Sequence, residues 1–185
     1  MTENQTDKKE RNFFLNPNFE EVIKPEILQK QLEGEQKKHP DLSLAENRIF
    51  PARWGFRLLP SSISLTDQDA IEGKYSLLMS SAGNPCVFHS NFIYGQGEYL
   101  LTVLLKNVGS ESALFTVTPY LEDKERNRTF PDTWTFSIEP GGLKKITCPL
   151  NMNQKNMERF YISFQTNGCI MADAAEMKKI TTTGS

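Results

Sequence analysis

Two short stretches carry phenol rings, hydroxyls and an amide at alternate positions. In Ala113 to Leu121, Phe115, Val117, Pro119 and Leu121 alternate with Thr116, Thr118 and Tyr120. In Glu158 to Gln165, Phe160, Ile162 and Phe164 alternate with Tyr161, Ser163 and Gln165. A period of two places the apolar set on one face of a strand and the polar set on the other. If the two polar sets share a sheet, Tyr120, Tyr161, Thr118, Ser163 and Gln165 form one surface, with His89 as a neighbour. Such a surface suits sugars, whose C–H faces stack on rings while their hydroxyls hydrogen-bond. The alternative is an ordinary solvated β face, on which Thr is common. His89, between Phe88 and Ser90, also reads as a satisfied structural histidine.

Other chemistries have little support. His39 stands beside Pro40 in a charged stretch and reads as a surface residue. No Gly-x-Ser-x-Gly elbow, His-Glu-x-x-His pair or phosphate-binding Gly loop occurs. Glu122, Asp123 and Glu125 belong to a charged run, EDKERNRTFPD, read as a solvated loop, and no pair of carboxyls stands out for glycoside hydrolysis. Cys86, Cys148 and Cys169 are too far apart for a metal pattern. They are expected to be reduced, mostly buried thiols, with one surface pair as the alternative in an oxidising compartment. Trp54 and Trp134 each share a face with large apolar residues, so both are expected in the core.

The elements that must position the polar face are short strands. Gly97 to Lys106, GEYLLTVLLK, has Tyr99, Leu101, Val103 and Leu105 on one face and Leu100, Thr102, Leu104 and Lys106 on the other. One wholly apolar face and one partly polar face suit an interior strand. Around it the pattern predicts strands over Asn12 to Leu15, Arg53 to Leu59, Ser61 to Thr66, Glu72 to Ser80 and Cys86 to Ile93. Further strands are expected over Ala113 to Leu121, Trp134 to Ile138, Leu143 to Leu150, Glu158 to Gln165, Cys169 to Ala172 and Ala175 to Ile180. Pro119 cannot donate to a ladder, which implies an edge or a bulge there. Thr166-Asn167-Gly168 reads as a hairpin turn. Lys24 to His39 is charged and helix-friendly, with Pro25 suited to a first turn and a thin stripe of Ile27, Leu28 and Leu32.

The bulk numbers agree. The 185 residues fit one domain able to bury a core. Phe is frequent at 12, against 5 Tyr and 2 Trp, which favours an all-β core. A formal charge of -2 gives no electrostatic reason to invoke nucleic acid or an anionic membrane, and no long apolar segment spans a bilayer. The domain is expected over 12–180, with a helix-and-loop insertion at 24–50, a disordered polar leader at 1–11 and a flexible tail at 181–185. The leader has no apolar h-region, so these residues contain no signal peptide.

Five segments in this order carry a resemblance: Asn16 to Glu20 (NPNFE), Pro51 to Trp54 (PARW), Glu72 to Leu78 (EGKYSLL), Gly97 to Lys106, and Met171 to Ile180 (MADAAEMKKI). Together the chain resembles the carbohydrate-binding modules of families four, nine and twenty-two. Those are jelly-roll β-sandwiches of galactose-binding-like topology, with two antiparallel sheets. The resemblance implies a non-catalytic module that binds a polysaccharide or oligosaccharide. It also implies a monomer tethered to a hydrolase or lyase and an extracellular or periplasmic setting, a cytoplasmic protein being the alternative. It further implies structural calcium at the positions of Glu20, Gly73 to Lys74 and Asp173, although Ala174 stands where the family often has a second acidic residue. Because this sandwich is a widely reused scaffold, a structural or protein-contact domain of a larger enzyme or assembly remains the second reading.

Overall fold

The computed structural model describes residues 12–38, 40, 49–56, 63–81 and 85–180. The expected leader and tail, His39, most of the loop after it and the whole stretch 57–62 lie outside the described residues. Helix α1 (Pro25–Gln36) precedes strands β1 (Gly55–Phe56), β2 (Ile63–Thr66), β3 (Ser76–Ser80), β4 (Cys86–His89), β5 (Ile93–Tyr94) and β6 (Glu98–Asn107). Then come β7 (Ala113–Asp123), β8 (Arg128–Thr129), β9 (Trp134–Ile138), β10 (Leu143–Asn151), β11 (Met157–Thr166) and β12 (Cys169–Lys179).

These strands make a two-sheet antiparallel jelly-roll sandwich. One sheet has five strands in the order β10-β6-β12-β3-β2. The other runs β1-β4-β11-β7-β8, with β5 added beside β11 and β9 beside β7. As its pattern requires, β6 is interior, flanked by β10 and β12. Its residues Tyr99, Leu101, Val103 and Leu105 are buried between the sheets against Phe115, Val117, Phe160, Ile162 and Phe164 of the facing one. At one end of the core Trp54 stacks on Phe88, with ring centroids 4.7 Å apart, and donates its indole N–H to the Asn16 carbonyl at 2.9 Å. That carbonyl belongs to the NPNFE turn, where Asn16 has φ 58° and Phe19 is fully buried. Trp134 is half-buried against the same core, as expected. Each buried ring contributes about 2–3 kcal/mol of transfer free energy.

Several expectations are corrected. Asn12 to Leu15 is not a strand; the Asn12 side chain instead clamps the Ala175 carbonyl and the Met177 N–H. The two closing strands are one, β12, whose register shifts between Asp173 and Glu176 at a bulge. Ala174 has φ 46° there, the left-handed geometry that a bulge imposes. Pro119 lies in the interior of its sheet opposite Ile162. It falls between the part of β7 paired with β9 (to Val117) and the part paired with β8 (from Leu121), so its missing donor faces a gap in that ladder. Thr166-Asn167-Gly168 is no hairpin: β11 and β12 lie in different sheets, and the turn crosses between them. Gly168 is required by contact, because a Cβ there would meet the Ala113 Cβ at 2.4 Å.

Helix α1 is an insertion whose ends are zipped together. Ile23 N–H donates to the Phe50 carbonyl at 2.9 Å and Ala52 N–H to the Glu21 carbonyl at 2.8 Å. Ile27, on the expected apolar stripe, is half exposed.

Candidate functional site

The ladder between β11 and β7 settles which polar residues meet. Tyr161 is paired with Tyr120, Ser163 with Thr118, and Gln165 with Thr116. On the other side of β11, Ser163 is paired with His89 of β4. All six expected residues therefore share the outer face of the seven-stranded sheet. Gln165 is exposed, Thr118 and His89 are half-buried, and Ser163 is buried among its neighbours. The Thr116 and Thr135 hydroxyls lie 3.2 Å apart and those of Thr118 and Thr133 3.3 Å apart, so side-chain pairs also link β7 to β9 and the loop before it.

The tyrosines do more than lie side by side. Their rings are nearly parallel, 7° apart, with centroids at 5.2 Å. Stacking on each other occupies one face of each ring. The Tyr161 ring is also walled by His89, edge to face at 5.4 Å, and by Phe92 at 5.5 Å. Only 8% of Tyr161 is exposed. Burial pushes its phenol above the usual range, with the Arg128 guanidinium pulling the other way. Tyr161 is thus the floor of the face. The rings left open to a ligand are Phe130, 63% exposed and 5.8 Å from the Tyr120 ring, together with Phe92 and Tyr94.

Beyond the tyrosines, β11 pairs Arg159 with Glu122 of β7 and with Tyr94 of β5, and Glu122 is paired in turn with Arg128 of β8. Glu122, placed by the sequence in a solvated loop, is buried at the end of β7. Its carboxylate accepts from Arg126 Nη1 at 2.7 Å, from Arg128 Nε at 3.2 Å, and from Arg159 through Nε at 2.8 Å and through Nη2. Arg128 reaches back over the Tyr161 ring, 5.7 Å from its centroid, and Arg159 lies over Phe92 at 3.8 Å. Arg53, by contrast, is paired with Glu21 at 2.7 Å.

The carboxylates expected at calcium converge on one loop. Glu20 Oε1 accepts from the Lys74 N–H at 2.7 Å and the Tyr75 N–H at 3.2 Å. Asp173 Oδ2 accepts from the Ser76 hydroxyl at 2.7 Å and the Glu72 N–H at 3.0 Å, while Oδ1 accepts from Ala174 N–H at 2.8 Å. Burial nevertheless raises the Asp173 carboxyl above its ordinary value. The Lys74 ammonium points away, over the Tyr75 ring. Among the described residues no three His, Cys, Asp or Glu side chains are grouped to hold a metal. Both carboxylates thus accept from N–H and hydroxyl donors of the loop before β3, of Ser76 and of the β12 bulge.

This architecture recurs in solved structures. TmCBM61, solved in complex with β-1,4-galactotriose, superposes with a TM-score of 0.53 at 11% identity, over 92% of this chain and 99% of that one. The CBM22-1 xylan-binding domain of Paenibacillus barcinonensis Xyn10C gives a TM-score of 0.55 at 13% identity, over 70% of this chain and 86% of that one. The fold is that of the carbohydrate-binding modules. The CBM22-1–GH10 modules of Clostridium thermocellum Xyn10B, complexed with xylohexaose, match with a TM-score of 0.56 at 16% identity, over 72% of this chain and 27% of that one. No protein-family model matches the sequence, and no curated protein matches it.

The polar residues expected on one face do share it. Phe92, Phe130 and Arg159, which flank that face, were not singled out in the sequence, and Glu122 was read as part of a solvated loop. The only local signal for Glu122 was its parity with Thr118 and Tyr120, which a charged run obscured.

Proposed function

We propose that the chain is a non-catalytic carbohydrate-binding module whose glycan lies across the outer face of β4, β11 and β7. The observation that carries this reading is one continuous surface. It passes from Gln165, Ser163, His89 and Thr118 over the stacked Tyr120 and Tyr161 to the open rings of Phe92 and Phe130. Hydroxyl and amide groups there exchange a hydrogen bond to water for one to sugar, a small net gain, so ring stacking supplies most of the affinity. The solved neighbours named for xylan and galactotriose support the class of ligand. Catalysis is a poor fit, because the carboxylate at this face, Glu122, is locked in ion pairs with three arginines.

In this reading the module is a monomer that serves a larger polysaccharide-degrading protein outside the cytoplasm, as the module joined to a GH10 domain suggests. No helix among the described residues is long and apolar enough to cross a membrane. Calcium at Glu20, Lys74 and Asp173 would pin the first residues and last strand of the sandwich to the loop before β3. The deciding test is a glycan array of plant, microbial and animal polysaccharides, with Phe130→Ala and Tyr120→Ala as controls. Binding that both substitutions weaken is expected. An array without a binder would leave the face as a protein contact of a larger enzyme or assembly.

A further inference from the structure

Resting on that glycan reading, we infer that the bound polysaccharide carries carboxylates, a uronate-bearing chain whose acidic residue docks on Arg126 and Arg128 at the end of the tyrosine strip. The Glu122 carboxylate is 1% exposed and bonded to three guanidinium groups, so one negative charge answers three positive ones. Two of those cations remain open to solvent, with the Arg126 side chain 61% and the Arg128 side chain 57% exposed. The adjoining carboxylate, Asp123, is turned to the Asn127 N–H at 2.8 Å and its amide at 2.9 Å. Residues 122–128 balance three acidic against three basic side chains, and Arg159 tips this end of the surface to positive, with the arginines gathered at Glu122.

A buried carboxylate ringed by arginines is weak evidence for added stability, since desolvation offsets much of the attraction. What the arrangement does achieve is to hold two exposed guanidinium groups in place. A guanidinium has five N–H donors in a planar fork that matches a carboxylate, and Glu122 engages Arg128 through Nε and Arg126 through Nη1. The forks that remain face solvent already ordered, which lowers the entropic cost of binding an anion. Arg128 also lies over Tyr161, so the cationic end is continuous with the rings. A sugar on Phe130 and Tyr120 would bring a neighbouring uronate toward these forks.

The test is calorimetric titration of the chain with polygalacturonate, alginate and glucuronoxylan, each against its carboxyl-reduced form. At low salt at least one acidic form should bind about tenfold tighter than its neutral counterpart, the size of one charge-assisted contact. The advantage should vanish near 1 M salt, where the Debye length is about 3 Å. Arg126→Gln and Arg128→Gln should remove the acidic preference, with Arg128→Lys retaining only part of it and melting curves confirming the fold. Phe130→Ala should weaken the acidic and reduced forms alike. Equal binding of acidic and reduced forms overturns this inference and leaves the glycan reading intact. Binding of neither form, on a chain that also reads no glycan on the array, overturns both.

Discussion

Tyr161 and Phe130 serve one face in different ways, and substitution separates them. Tyr161 is packed against Tyr120, His89 and Phe92, so Tyr161→Ala removes both the floor of the site and buried area. It should weaken glycan binding and cost about 2 kcal/mol of stability, below the range for a fully enclosed ring. Phe130→Ala touches an exposed ring, so binding should fall about tenfold while stability stays within roughly 0.5 kcal/mol. Titration and denaturant melts check the pair; equal loss of stability in both would refute the division of roles. Burial holds the Cys148 thiol at about 12, against an ordinary 9.0. Between those values the folded chain keeps a proton that the unfolded chain releases, so the contribution of Cys148 to stability falls as pH rises through that window. Near neutral pH, iodoacetamide should label the half-buried Cys169 first and reach Cys86 and Cys148 only in denaturant. Mass spectrometry finding native Cys148 alkylated as fast as Cys169 would contradict this.

At the scale of elements, the loop before β3 and the bulge of β12 form one seam. Gly73 has φ 62°, and a Cβ there would meet Glu20 Oε1 at 2.2 Å. Gly73→Ala must displace the carboxylate and adopt a left-handed backbone, which should cost about 2 kcal/mol. A denaturation midpoint matching the unsubstituted chain would show that the Glu20 contact contributes nothing. The calcium proposal belongs to the same seam. A ligand that binds only the folded state raises the melting temperature, so melts in excess calcium should exceed those in chelator. The difference should be lost in Glu20→Ala. Superimposable curves would leave the N–H and hydroxyl donors as the only partners of Glu20 and Asp173.

For the whole molecule, the sandwich is expected to fold without helix α1. The segments on either side of α1 are already joined by the Val22–Pro51 bridge, so the loop begins and ends at one point. Closing a loop costs little more when it is long than when it is short. Replacing α1 by a Gly/Ser linker should therefore shift the melting temperature by no more than about 2–4 °C, the equivalent of roughly 1 kcal/mol at this chain length. The far-UV spectrum should keep its β character and lose only a small helical component. Collapse of the variant would mean that α1 is part of the core.

The face assignments were legible in the sequence, because alternation along a strand is a local property. The buried row of β6, the inward rings of β7 and β11, and the shared polarity of Tyr120, Thr118, Tyr161, Ser163 and Gln165 all follow from a period of two. The turn at Asn16 and the burial of Trp54 were also readable from short stretches. Which strands are neighbours is not local, and only the tertiary structure decided it. Asn167 and Gly168 look like a hairpin turn, yet the chain changes sheets there because β12 finds its partners in β6 and β3. Tyr120 and Tyr161 stack on each other because the register sets them opposite, which occupies ring faces that the sequence offered to a ligand. Glu122 reads as a solvated charge until Arg126 and Arg128, from the segment just after β7, and Arg159, from β11, close around it. Burial of a charge depends on the partners that meet it, and those partners are set by topology.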